Sequence, residues 1–168
     1  EANAFTFAQM ITDMATPRSG YRYNMKAGSY SSGAVALTGG TVSAPNVIRG
    51  YNSTIGDLDN QGRNSDGSLN TSNMPDVTLT GSITPSPWCN VQNIDITGSV
   101  NGWLISSSSV DDYAVISCRI VNTANNSLAG CMRPDDRRLL LNCDFECSGA
   151  AHAELVFCDD RHVTVGCR

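Results

Sequence analysis

The last third of the chain repeats itself with a period of about 24 residues, within the range that is typical of repeat architectures. Residues 111–168 read DDYAVISCRIVNTANNSLAGCMRPDDRRLLLNCDFECSGAAHAELVFCDDRHVTVGCR. Two adjacent aspartates recur at equal intervals, as Asp111-Asp112, Asp135-Asp136 and Asp159-Asp160. A short run of strand-forming residues follows each pair, and each run carries a cysteine in nearly the same place. The repeat therefore governs the choice of fold.

Apolar and polar residues alternate within these runs, which predicts short β-strands with one buried face. Strict alternation predicts that the following residues face inward: Ile94 and Ile96; Ile116, Cys118 and Ile120; Leu141, Cys143 and Phe145; Val165 and Cys167. A second apolar column follows the runs and consists of Leu104, Leu128 and Leu155. The step from Leu128 to Leu155 is longer than the step before it, which places a small insertion near residues 149–153.

The period favours one repeat architecture over two others. A leucine-rich repeat would show its Leu/Asn consensus, which is absent, and a helical repeat would show apolar residues with a period of about 3.6. Two or three short strands per period, joined by turns rich in Asn, Gly, Ser and Asp, instead predict one coil of a parallel β-helix. Equivalent side chains of successive coils would then stack as ladders about 4.8 Å apart.

The chain as a whole resembles the right-handed parallel β-helix proteins of the pectin-lyase-like superfamily. The resemblance is carried by the helical stretch 5–15, YNMKAGSY at 23–30, PNVIRGYN at 45–52 with Gly56-Asp57, and NVQNIDITGS at 90–99. It implies an all-β fold, a right-handed parallel β-helix of about 24 residues per coil with a short N-terminal capping helix. The superfamily includes polysaccharide lyases, hydrolases, phage tailspikes and adhesins, so the fold alone assigns no activity.

The sequence predicts a single β-helix domain over residues 1–168. Residues 1–76 are expected to hold the cap, the first strands and a long excursion loop, and residues 77–168 the regular coils. The loop is predicted at residues 52–75, which are polar and rich in Gly and Asn. Thr6 is a suitable N-cap for the capping helix. One apolar face of that helix consists of Phe7, Met10, Ile11 and Met14.

The composition excludes several classes of protein. Ser, Thr, Asn and Gly supply 62 of the 168 residues, and there is one lysine, Lys26, against ten arginines. This poverty of Lys and Glu disfavours a helical bundle, whose surface needs both. A net charge of −5 disfavours binding to nucleic acid, so we expect no nucleic-acid partner. No apolar run approaches the roughly 20 residues of a membrane span, so we expect no membrane insertion.

Seven cysteines leave at least one without an intrachain disulfide partner. They are Cys89, Cys118, Cys131, Cys143, Cys147, Cys158 and Cys167. No pair forms a Cys-x-x-Cys motif and no matching set of histidines is present, which disfavours a zinc site. Most are predicted to be buried thiols, because they fall within apolar strand patterns where cysteine packs as a small hydrophobe. Disulfides are the alternative expected of a secreted product.

The repeated aspartates are the main candidates for chemistry. Carboxylates stacked on successive coils would repel one another unless a cation or an arginine offsets their charge. One interpretation is a Ca²⁺ or sugar site, with these candidate metal ligands: Asp111, Asp112, Asp135, Asp136, Asp159 and Asp160. The other interpretation is a set of solvated turns, which suit aspartate. No cofactor is expected to be required.

Catalysis is the alternative to a purely structural or binding role. Sugar lyases of the superfamily need an Arg or Lys base beside Ca²⁺-binding acids, and hydrolases need two or three carboxylates around a glycosidic bond. The candidates for either set are Asp135, Asp136, Asp159, Asp160, Arg161 and His162. The hydrolase signatures Asn-Thr-Asp and Gly-His-Gly are absent, and no lyase motif is complete. The candidates for stacking on a sugar ring, with core packing as the alternative, are Trp88 and Trp103.

Two classes of function therefore stay open. The first is a non-catalytic structural or binding segment of an extracellular, cell-surface or virion-associated appendage, binding glycan or stacking on itself as a filament. The second is a polysaccharide lyase or glycoside hydrolase that acts on acidic polysaccharide. The last run stops at Arg168, whereas its counterparts continue to Ile120 and Phe145. We therefore expect a second copy or further chain to cover that end.

Overall fold

Short runs of alternating apolar residues form the strands of three parallel sheets. The computed structural model describes residues 6–16, 18–106, 112–133, 138–148, 154–156 and 162–168. In chain order the strands are β1 (Arg22–Lys26), β2 (Gly28–Ser32), β3 (Val35–Leu37), β4 (Asn46–Tyr51), β5 (Pro75–Leu79), β6 (Ile83–Pro85), β7 (Cys89–Gln92), β8 (Asp95–Gly98), β9 (Trp103–Ser106), β10 (Tyr113–Ile116), β11 (Arg119–Asn122), β12 (Gly130–Arg133), β13 (Arg138–Leu141), β14 (Asp144–Cys147), β15 (Glu154–Val156) and β16 (His162–Val165).

The chain visits the three sheets in turn. The first sheet contains β1, β4, β7, β10, β13 and β16, the second contains β2, β5, β8, β11 and β14, and the third contains β3, β6, β9, β12 and β15. Neighbouring strands are parallel and in register, so that Ala114 pairs with Asn90 on one side and with Leu139 on the other. The predicted all-β class is confirmed, and three all-parallel sheets are consistent with a parallel β-helix.

A left-handed backbone residue lies in the connection from the first sheet to the second in three successive passes, and another follows the last strand of the first sheet. These residues are Asn93, Ser117, Asn142 and Gly166, with φ of 56°, 51°, 55° and 64°. The left-handed residue turns the chain, so the alternation of a first-sheet strand does not continue into the second-sheet strand. Val115 and Cys118 are separated by two residues rather than one, and both lie in the core for this reason.

The predicted inward sets are wrong where they cross this turn. Ile116 and Leu141 are half-buried and do not belong to the core, and Val165 is 51% exposed. Val115 and Leu140 occupy the core in their place. The other members are confirmed, since the following are buried in the core or pack against it: Ile94, Ile96, Cys118, Ile120, Cys143, Phe145 and Cys167.

The predicted second column is also wrong at one position. Leu128 is 71% exposed and lies in the connection between β11 and β12. The buried Cys131 takes its place opposite Leu104, as the pairing of β12 with β9 requires. The insertion therefore falls in residues 123–129 rather than in residues 149–153, because Glu154 pairs with Gly130 and so keeps the ordinary spacing of the repeat.

The N-terminal helix α1 (Phe7–Met14) packs on the first strands as a cap. Thr6 and Gln9 form a reciprocal capping box, in which the Thr6 hydroxyl accepts from the Gln9 N–H at 3.2 Å and the Gln9 side chain accepts from the Thr6 N–H at 2.9 Å. Met10 and Met14 are buried in the same core as the first strands, and the helix packs on β3. No helix within the described part of the chain has the length and apolar character needed to cross a membrane.

The excursion loop lies between β4 and β5, where it spans residues 52–74. It has a small apolar cluster of its own, formed by Leu58, Leu69 and Met74. The loop is therefore packed against itself as well as against the sheets, which explains how so polar a segment keeps a defined path.

The cysteines are thiols in the described part of the chain. Cys89, Cys118, Cys131 and Cys143 are buried, as predicted, whereas Cys147 and Cys167 are half-buried. Cys158 lies outside the described residues.

Candidate functional site

Five of the six repeated aspartates lie outside the described residues: Asp111, Asp135, Asp136, Asp159 and Asp160. Arg161 of the predicted catalytic set also lies outside them. His162 begins β16 and pairs with Arg138 of β13, so its backbone lies in the first sheet. Asp112 is described and directly precedes β10. The predicted catalytic set and the Ca²⁺ site therefore stay predictions.

Trp88 and Asp112 occupy the same corner on successive passes, where the third sheet leads into the first. The Trp88 N–H donates to the Asp112 carbonyl at 2.6 Å, and both residues have left-handed φ, 61° and 66°. The Trp88 carbonyl accepts from the N–H groups of Gly40 and Asn46, at 3.2 and 2.9 Å. A left-handed backbone is costly for so large a side chain. Trp88 is thus held in a strained conformation by hydrogen bonds on both sides.

Trp103 does not join Trp88. It is the first residue of β9 in the third sheet, it is half-buried, and its carbonyl accepts from the Ser82 hydroxyl at 2.8 Å. Each tryptophan therefore belongs to a different part of the surface, and the two do not form one stacking platform.

Arg138 is a buried cation that sequence reasoning missed. It is 5% exposed, and its guanidinium lies 5.7 Å from the centre of the Tyr113 ring. None of its three side-chain nitrogens has a hydrogen-bond partner among the described residues. Isolated buried charge is expensive, so the aromatic face of Tyr113 offsets part of that cost. Nothing in the sequence marks Arg138 as buried, and only the register shows that it shares an inward column with Tyr113.

The outer face of the second sheet carries a row of charged residues that the sequence did not single out. Paired positions of β5, β8, β11 and β14 place Asp76, Asp95, Arg119 and Asp144 side by side. Arg119 approaches Asp95 at 3.3 Å and Glu146 at 3.1 Å. Read across the sheet, the row therefore consists of an acid, an acid, a base and an acid.

Asp95 is the buried carboxyl of this row. It is 9% exposed. Burial raises its pKa, and the neighbouring Asp76 adds to that effect, while Arg119 and a hydrogen bond from Thr71 lower the pKa. A carboxyl with a raised pKa beside a second carboxyl is an arrangement that general acid–base chemistry uses. Burial raises the pKa of a purely structural carboxyl in the same way, so the shift by itself assigns no chemistry.

The excursion loop borders this row and joins it to the corner between the first and second sheets. Arg63 donates to Asp144 at 2.5 Å, to the Asn142 side chain at 2.8 Å and to the Gly166 carbonyl at 2.9 Å. Asp144 also accepts the Leu69 N–H at 2.5 Å. One arginine of a distant loop thus neutralises a carboxylate on β14 and ties together two successive passes of the chain.

The outer face of the first sheet is polar on β1 and β7, mixed on β4, and apolar on β10, β13 and β16. Two columns of paired outward residues cross it, namely Arg22, Val47, Asn90, Ala114, Leu139 and Val163, and Asn24, Arg49, Gln92, Ile116, Leu141 and Val165. Neither column contains a carboxylate. These residues therefore offer no pair of acids for glycosidic cleavage.

Neither the potential metal ligands nor comparison with known proteins assigns a function to the chain. Within the described residues, no three His, Cys, Asp or Glu side chains converge as potential ligands of one ion. No family model matches the chain, and comparison with curated proteins and with solved structures found no match. The site must therefore be judged by its own geometry.

Proposed function

We propose that the chain is a right-handed parallel β-helix of the pectin-lyase-like superfamily with about 24 residues per coil. It serves as a non-catalytic structural and binding segment of an extracellular, cell-surface or virion-associated appendage. The observation that carries this proposal is the constant register of three parallel sheets, in which Ile96 pairs with Val77 and Ile120 and their side chains fill a continuous core. A rod of this kind offers long flat faces and has no need of a catalytic pocket.

The charges of the outer faces support a structural role. The first sheet presents no carboxylate in its two outward columns, and on the second sheet Arg119 forms ion pairs with both Asp95 and Glu146.

Trp88 is the residue that best supports glycan binding. A left-handed backbone at a bulky residue costs on the order of 1–3 kcal/mol, and such strain tends to accumulate at functional sites. Tryptophan stacks well on the apolar face of a sugar ring because its indole combines a broad surface with a polar N–H. Glycine at position 88 would relieve the strain but would remove the stacking surface.

The test compares glycan binding and stability in one pair of variants. Trp88→Gly is expected to abolish retention on immobilised acidic and neutral polysaccharides while its melting temperature stays the same or rises. Trp103→Ala is the comparison, since Trp103 has no left-handed strain. Retention of Trp88→Gly equal to that of the wild type would remove Trp88 as the binding residue, and no retention of the wild type on any polysaccharide would remove glycan binding.

The second candidate function is a polysaccharide lyase or glycoside hydrolase, favoured by the adjacent Asp76 and Asp95. Their strands are paired, so their Cα atoms lie about 4.8 Å apart across the sheet and both side chains stand on its outer face. Glycosidases use two carboxyl groups on either side of the bond that they cleave. Asp95, whose pKa is raised by burial, would be the acid, and the exposed Asp76 would be the second carboxyl.

Product release separates the two candidates. The purified chain is incubated with uronate-rich polysaccharide, with and without Ca²⁺, and reducing ends and unsaturated uronates are measured. No release supports the structural role. Release that Asp95→Asn abolishes and Asp66→Asn leaves intact places catalysis on the second sheet, whereas loss in Asp136→Ala places it at the acidic pairs.

A further inference from the structure

We propose that Cys131 and Cys147 form a disulfide bond when the folded protein meets a disulfide oxidant such as oxidised glutathione. Cys131 lies on β12 of the third sheet and Cys147 is the last residue of β14 of the second sheet. Their Sγ atoms are 3.1 Å apart. The bond would join the second sheet to the third between successive passes of the chain. The inference does not rest on the proposed function.

The two thiols differ in a way that fixes the order of reaction. Cys131 is fully buried, its thiol lies 2.9 Å from the Glu146 carbonyl and 3.4 Å from the Ile120 carbonyl, and burial raises its pKa. Cys147 is half-buried at a strand end. Cys147 is therefore the thiol that an oxidant reaches first, and Cys131 is the resolving thiol.

The chemistry is two thiol–disulfide exchanges. The Cys147 thiolate attacks one sulfur of oxidised glutathione, whose S–S bond breaks and releases one glutathione thiolate. Cys131 gives up its proton and attacks the Cys147 sulfur of the mixed disulfide, releasing the second glutathione thiolate. Both thiolates take up the protons that the cysteines lost. Two cysteine thiols are oxidised and one glutathione disulfide is reduced to two thiols.

A second pair of cysteines, Cys143 and Cys167, competes with Cys131 and Cys147 for the oxidant. Cys143 and Cys167 are neighbours on successive passes, and the Cys143 N–H lies 3.4 Å from the Cys167 sulfur. A hydrogen bond from Cys143 lowers the pKa of Cys167, and the nearby Arg63 contributes. Cys167 is the matched control, since it is also a half-buried thiol with a second cysteine beside it.

Peptide mapping distinguishes the pairs because of where the proteases cut. Trypsin cleaves after Arg119 and Arg137 and leaves Cys131 as the single cysteine of residues 120–137, since Pro134 protects the bond after Arg133. Glu-specific protease cleaves after Glu146 and Glu154 and leaves Cys147 as the single cysteine of residues 147–154. The folded protein is incubated with a mixture of reduced and oxidised glutathione, its remaining thiols are alkylated, and it is digested with both proteases.

The expected product is residues 120–137 linked to residues 147–154 in most molecules. Reduction of the bond is expected to lower the melting temperature of the wild type and of Cys167→Ser by several degrees and to leave Cys147→Ser unchanged. Recovery of Cys131 as an alkylated thiol, its linkage to any other cysteine, or linkage only after unfolding in urea would each overturn the proposal. The wild-type map decides the matter even if a variant fails to fold.

Discussion

Two buried asparagines fasten the corners of the sheets through their side chains. The Asn122 amide nitrogen lies 2.9–3.1 Å from the carbonyl oxygens of Val100, Gly102 and Gly130, and its oxygen accepts the N–H groups of Val100 and Ala124 at 3.2 Å. Asn46 makes the same kind of contacts to Arg18, Thr38, Gly39 and Tyr21. Buried backbone N–H and C=O groups without hydrogen-bond partners are costly. These two side chains supply partners to backbone groups at the corners, where strand pairing does not.

Asn122→Ala is expected to lower the free energy of unfolding by about 2–4 kcal/mol, because several buried backbone groups lose their partners at once. Urea unfolding followed by circular dichroism measures the loss. Asn24→Ala on the exposed face of β1 is the control and should change stability by less than about 0.5 kcal/mol. Equal effects of the two substitutions would show that the Asn122 hydrogen bonds contribute little.

Asp57 organises the start of the excursion loop and gives it a pH dependence. Its carboxylate accepts the N–H groups of Asn52, Ser53 and Thr54 at 2.9, 2.7 and 3.0 Å, which holds its pKa well below the usual range. A depressed folded-state pKa means that the stabilisation is present above the ordinary pKa of about 4 and is lost as the pH falls through the folded-state pKa.

We therefore expect the amide chemical shifts of residues 52–54 to stay constant from neutral pH down to about 3 and to move only at lower pH. Two-dimensional NMR of the labelled protein makes the measurement. Asp57→Asn should abolish the titration at these amides. A midpoint near pH 4 or above would mean that the three N–H contacts do not hold the ionised form.

At the scale of elements, the excursion loop acts on strands far from it in sequence through a single arginine. Arg63→Met is expected to lower the free energy of unfolding by about 1–3 kcal/mol, because Asp144, whose side chain is only 13% exposed, would lose its ion-pair and hydrogen-bond partner. Chemical denaturation of Arg63→Met, Asp144→Asn and the double variant gives the coupling energy. Arg133→Met, an exposed arginine of β12, is the control. Additive losses in the double variant would show that Arg63 and Asp144 do not stabilise each other.

The elements also show how far the sequence could predict the fold. The spacing of cysteines and the alternation within each run predicted parallel strands in register, because one column of buried side chains has to repeat with the period of the chain. Alternation failed between Val115 and Cys118, where Ser117 adopts a left-handed backbone that no pattern of apolar residues reveals. Asn93 and Asn142 have this conformation too, but asparagine is so frequent here that these positions could not be told from the others.

The candidate site was harder to predict than the fold. The charged row of Asp76, Asp95 and Arg119 comes from three different passes, and the excursion loop separates Asp76 from the strand that precedes it in the chain. Asp95 and Arg119 are one period apart, but the paired positions hold an acid, an acid and a base, so no common residue type marks the row in the sequence. Only the register of strands brings them together, whereas the repeated aspartates were conspicuous because they are adjacent in sequence.

At the scale of the whole molecule, the first sheet ends on an apolar strand. β16 pairs with β13 on one side and has no other partner strand among the described residues, and its outward Val163 and Val165 are 55% and 51% exposed. The unpaired N–H and C=O groups of such an edge recruit a further strand, and apolar side chains beside them strengthen the association. The strand β1 at the opposite edge of the sheet instead presents the polar Arg22 and Asn24 outward, which makes that end the less adhesive one.

We therefore expect the isolated chain to associate with itself through the β16 end, with an apparent mass that rises with concentration in light scattering. Val165→Lys should shift the population towards the monomer, because a charge on an edge strand opposes pairing with a second copy. Val42→Lys is the matched control, since Val42 is 72% exposed but lies outside the strands. A wild-type chain that stays a monodisperse monomer at every concentration would contradict self-stacking, and it would leave glycan binding as the surviving part of the proposed function. Association that Val165→Lys leaves intact would place the contact on another face of the molecule.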